Sequence, residues 1–110
     1  MQSMPIPGWL KLEVCRCLLG EIYPAIRCVA VGLRDDALLL RYYLDRHPTD
    51  GDRESIEVVA TNIWAAGSVE EAGASRLDVE CVFSDAPIGK LDFMGGFIYA
   101  RRENDLEQVQ

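Results

Sequence analysis

The residues in this 110-residue sequence that could do chemistry are few, and their spacing argues against most reactions. One histidine, His47, stands beside Pro48 in a polar stretch. Any nucleophile–base pair would have to use it. Ser55 and Ser84 sit in no G-x-S-x-G elbow. Carboxylates recur in groups, at Asp35-Asp36, Asp50/Asp52/Glu54, Glu70-Glu71 and Asp78/Glu80. Acid–base catalysis needs one member of such a pair in an apolar pocket with a raised pKa. These groups read instead as a turn, a helix start, a polar connection and an exposed strand face. Thr49-Asp50-Gly51-Asp52 is a fragment of a calcium loop without its full D-x-D-x-D-G spacing. Gly95-Gly96 precedes a strand, not the helix a phosphate loop requires. The four cysteines, Cys15, Cys17, Cys28 and Cys81, contain no C-x-x-C. Cys15 and Cys17, two apart on a predicted helix, point to different faces. Cys28 and Cys81 fall in apolar runs, where a thiol packs as a small hydrophobe. The reading is four reduced, mostly buried thiols, with no catalytic residue, no cofactor and no metal.

The elements around these residues follow from hydrophobic period. Trp9 to Ile22 places Leu10, Val14, Cys17 and Leu18 at helical spacing, with Leu12, Cys15 and Leu19 widening the stripe. Tyr23-Pro24 ends it. Ile26–Leu33 is a β-branched, apolar strand, Arg34-Asp35-Asp36 a tight turn, and Ala37–Leu44 a second strand, together an antiparallel hairpin. Arg27 and Arg41 interrupt these runs and are expected on the face away from the helices. Asp45–Asp52 is a loop in which Thr49 and Asp52 form a short capping box. The second helix runs to about Ala66 with Ile56, Val59, Ala60 and Ile63 inward, and Gly67 stops it. Leu77, Val79, Cys81 and Phe83 alternate with Asp78, Glu80 and Val82 in a third strand, one face buried and the other largely acidic. Asp85–Gly95 is an irregular loop, and Gly96–Arg102 a last strand. Trp9 and Trp64 read as packing at the core edge ahead of interface anchoring.

The order α-β-β-α-β-β predicts an α+β domain, an antiparallel four-stranded sheet with two helices packed on one face. The length predicts one domain over residues 1–110, with an ordered core of about 8–102 and a frayed 103–110. A composition of 49% apolar and 26% charged residues excludes a disordered or low-complexity chain. No apolar run approaches the roughly 20 residues that span a bilayer. The start lacks the charged lead of a secretory signal, so the cytoplasm is the expected compartment.

The net charge is −7, and the middle of the chain carries it. Residues 45–92 hold 4 basic and 11 acidic residues, whereas residues 1–44 hold 5 basic and 4 acidic. Such a surface repels phosphate and disfavours direct nucleic-acid binding. It steers a cationic protein partner. Solubility alone would also account for it.

Leu18-Leu19-Gly20-Glu21-Ile22-Tyr23-Pro24-Ala25-Ile26-Arg27, then Arg41-Tyr42-Tyr43-Leu44-Asp45, Glu54-Ser55 and Gly96-Phe97-Ile98-Tyr99-Ala100-Arg101-Arg102-Glu103 resemble, in that order, small bacterial immunity proteins of toxin–immunity systems, of the colicin and contact-dependent growth inhibition kind. The resemblance implies a non-catalytic cytoplasmic inhibitor that binds the toxin domain of a cognate effector, often a nuclease. A nuclease is cationic where it holds its substrate, so an acidic partner complements that surface. Charge alone then selects Asp45, Asp50, Asp52, Glu54 and Glu57 around the second helix, and Asp78 and Glu80 on the third strand, as partner-binding residues. Two other readings stand beside it. One is a different protein-binding module or a homodimer, whose apolar interface would resist salt. The other is a small enzyme, which would need His47 in a pocket with a carboxylate of shifted pKa.

Overall fold

The computed structural model describes residues 5–103. Pro7 in an extended conformation leads into α1, Gly8–Cys17, whose Leu10 and Val14 are buried one turn apart. The helix stops five residues short of the expected Ile22. Residues 18–21 form turns in which Gly20 takes φ +81°, a left-handed conformation that glycine adopts without steric penalty. Strands β1, Ile26–Arg34, and β2, Ala37–Leu44, form the expected antiparallel hairpin. Their loop is only two residues long, with Asp35 at φ +57°.

Helix α2, Asp50–Ala65, begins with a complete capping box. The Asp52 N–H donates to Thr49 Oγ1 at 3.3 Å, and the Thr49 N–H donates to Asp52 Oδ2 at 2.8 Å. Gly67, at φ +79°, breaks the helix and opens a four-residue helix, α3, Ser68–Glu71. That short helix lies inside the stretch read as a plain connection. Strand β3, Arg76–Phe83, a 3-10 turn at Ile88–Lys90 and strand β4, Gly96–Ala100, complete the order.

The sheet corrects the expectation. Its order is β3-β2-β1-β4, and β3 runs parallel to β2, so the sheet is mixed and not purely antiparallel. The physical reason is the crossover. A strand that returns through a helix arrives at the same end of the sheet, and parallel pairing needs a connection of that length. β1 pairs antiparallel with both β2 and β4. β3 and β4 therefore run in the same direction at opposite edges.

Both long helices contribute to one core with one face of the sheet, where Leu10 and Val14 of α1 and Ile56, Val59 and Ile63 of α2 meet Val29, Val31, Leu38, Leu40 and Tyr42. Each such side chain contributes about 1.5–3 kcal/mol when fully buried. The segment linking β3 to β4 must pass from one edge to the other. In doing so it lays Met94 and Leu91 on the second face, against Cys28, Ala30, Tyr43 and Phe97. Arg41, between Leu40 and Tyr42 of the helix-side core, belongs to this second face as expected, whereas Arg27 sits at the register shift between Ile26 and Cys28 and reaches Glu103 and the Ser84 carbonyl. The expected frayed end falls outside the described residues except for Glu103, whose carboxylate is held by Arg27 and Arg101.

Candidate partner-binding surface

The acidic residues that stood together in the sequence separate into committed and free groups. Asp52 is 2% exposed. It accepts from both terminal nitrogens of Arg46, at 2.5 and 3.2 Å, and from the Tyr23 hydroxyl at 2.6 Å. The Arg46 guanidinium, with help from Tyr23 and Thr49, holds its carboxyl well below the usual carboxylate range against the opposing effect of burial. Asp52 thus serves the fold: a carboxylate at the start of a helix, facing inward. Two signals separate it from Asp50 in sequence: the capping box, and its place four residues before the inward Ile56.

Asp45 lies at the end of β2 and pairs with Arg101 at 2.8 Å. Asp78 and Glu80, on the second face of β3, are also answered. Asp78 pairs with Arg76 at 3.2 Å, and Glu80 pairs with Arg41. Arg41 in turn donates to the Tyr43 hydroxyl, which donates to the Asp92 carbonyl. The alternation of β3 was legible; that its acidic side would face arginines from β2 and from β3 itself was not.

Asp50, Glu54 and Glu57 are exposed on α2. Asp50 meets Arg53 only at 3.4 Å, with both side chains in solvent, a pair worth little. Glu54 and Glu57 make no ion pair among the described residues, and neither do Glu70 and Glu71 of α3. Glu57 and Glu80 line one cleft of about 460 Å³ between α2 and the edge strand β3, together with Arg53, Ile56, Val79 and Cys81. Of the seven residues selected by charge, these are the two brought to one concavity.

Sequence reasoning placed the tryptophans in the core edge, but Trp9 is 42% and Trp64 44% exposed. Leu12 and Leu19 of the α1 region are exposed as well. The stripe of α1 is narrower than the run of apolar residues because one sheet face covers only part of a helix. Cys15 likewise is exposed, not buried, while Cys28 is buried.

His47 is exposed, its ring 4.5 Å from that of Phe83. Among the described residues no three of His, Cys, Asp and Glu are grouped to hold a metal ion. Among them, too, no helix is long and apolar enough to cross a membrane.

A family model described as MafI2 immunity protein matches residues 7–103, which takes in every strand and helix above. The chain belongs to the MafI2 immunity protein family. Membership in the MafI2 family makes it an immunity-type protein of a toxin–immunity system and implies a cognate toxin as partner. It carries the coarser half of the resemblance read from the sequence; the colicin or contact-dependent growth inhibition kind is not what was matched. Comparison with curated proteins gives no match.

Proposed function

We propose that this chain binds a cognate bacterial toxin domain in the cytoplasm and neutralises it without catalysis of its own, and that the toxin is a nuclease met through an acidic surface. Membership in the MafI2 immunity family carries the reading. Its electrostatic part is supported by five exposed carboxylates of α2 and α3, Asp50, Glu54, Glu57, Glu70 and Glu71, against one basic residue, Arg53, over the same stretch. A nuclease presents cationic side chains to phosphate, and carboxylates on a folded partner can occupy them.

The test is co-expression. A toxin domain from the same locus as this chain is induced in a bacterial host with and without it. Growth arrest relieved by this chain, with loss of nucleic-acid degradation in the rescued cells, is the expected result. Arrest that persists at equal expression of this chain would overturn the reading.

One observation favours a second reading, a homodimeric or other protein-binding module. Trp9 and Leu12, one turn apart, leave apolar surface exposed on α1. Sedimentation at about 50 and about 500 mM salt separates the two, since an apolar dimer survives both. A monomer at both concentrations would remove the dimer.

A further inference from the structure

Asp50, Glu54, Glu57, Thr61 and Trp64 follow one another at spacings of four, three, four and three. On a helix that spacing is one stripe. It lies opposite the buried residues Ile56, Val59 and Ile63, and every one of its members is exposed. No other element of the described chain packs over it. The stripe is graded, with carboxylates at its start and a half-exposed indole at its end. Glu70 and Glu71 follow on α3, beyond Trp64 in the chain. Beside it runs the cleft between α2 and β3, which Glu57 also lines.

We infer that this outer stripe of α2, with the adjoining cleft, is the surface that docks the toxin domain, and that the domain meets it with a cationic patch flanking an apolar recess for Trp64. The inference rests on the immunity reading and says which part of the molecule performs it. Charge complementarity selects the occupant. The acids of the second sheet face already have arginine partners and offer an incoming cation little. Glu54 and Glu57 have none among the described residues, so a lysine or arginine can pair with them without displacing a neighbour. Tryptophan is the side chain most enriched at the energetic centre of interfaces, and here it stands at the end of an acidic run. Charges of this kind act chiefly on the association rate, whereas a buried anchor acts on dissociation. The two halves of the stripe therefore leave different kinetic signatures.

The test measures binding of the purified toxin domain from the same locus to the full chain, by surface kinetics at about 50 and about 500 mM salt. The variants are Glu54→Gln with Glu57→Gln, Trp64→Ala, and Asp78→Asn as the second-face control. All four substitutions are at exposed side chains, and melting curves matched to wild type establish that each variant is folded. The acid pair is expected to slow association about tenfold at low salt and to flatten its salt dependence. Trp64→Ala is expected to speed dissociation at least about tenfold at both salts. Asp78→Asn stays within about twofold, as a surface pair of low worth should. Folded α2 variants that bind as wild type, while wild type still binds and protects cells, would overturn the surface and leave the immunity reading standing. Wild type that neither binds nor protects overturns both.

Discussion

The Tyr23 hydroxyl donates to Asp52 Oδ1 at 2.6 Å, tying the segment after α1 to the first turn of α2 across 29 residues of sequence. Arg46 reaches the same carboxylate from the loop before α2. One buried acid thus gathers three segments and caps a helix. Asp52→Asn keeps the shape but removes the charge that Arg46 faces, and should cost about 2 kcal/mol at pH 7, less than a fully buried pair because Arg46 is half in solvent. For a domain of this size that is a fall in Tm of roughly 8 °C.

The same carboxyl sets an acid limit. Its folded pKa lies below the ordinary value because Arg46, Tyr23 and Thr49 favour the ionised form. Such a group stabilises the fold above its unfolded pKa of about 4, and that contribution is lost as pH falls from there towards the folded value. The difference in urea midpoint between wild type and Asp52→Asn should be full at pH 7 and shrink below about pH 4. A gap that stays constant into acid would contradict this assignment.

Arg27 is buried at the register shift of β1 and is satisfied by a fork to Glu103, at 2.8 and 2.6 Å, and by the Ser84 carbonyl at 2.8 Å. Removing only the acid strands a buried guanidinium. Glu103→Ala should therefore cost about 3 kcal/mol, and the double change Arg27→Leu with Glu103→Leu less than that. Chemical denaturation of the three variants would decide it; a double variant worse than Glu103→Ala would show that the arginine's other bonds dominate.

Gly67 joins α2 to α3 at φ +79°, with open space where a Cβ would stand. The cost of Gly67→Ala is then conformational alone, about 1 kcal/mol. A loss of more than roughly 3 kcal/mol by thermal melt would mean that packing, not backbone, requires the glycine.

Thiol reactivity should follow exposure. Cys15 is in solvent, while burial pushes the Cys28 thiol up to about 11 despite the neighbouring Arg27. A limiting maleimide at pH 7.5, read by peptide mass, should label Cys15 first and Cys28 only after unfolding. Equal labelling of the two in the folded protein would be inconsistent with this fold.

The local features of this protein were determined by its sequence. The hairpin of β1 and β2, the capping box at Thr49, the glycine stop at Gly67 and the alternation of β3 each depend on residues a few positions apart. A period or a cap can be read directly at that range. What only the tertiary structure decided are relations between distant segments. The length of the α2 crossover allowed parallel pairing, but periodicity reports which face of β3 is buried and is blind to its neighbour's direction. The same holds for charge. Helical spacing turns Asp52 inward and Glu54 outward, yet that Arg46 and Tyr23 stand where they lock Asp52 is a relation between distant segments. Whether a carboxylate is spent or available depends on which cation the fold brings within about 4 Å, where attraction is strong enough to matter.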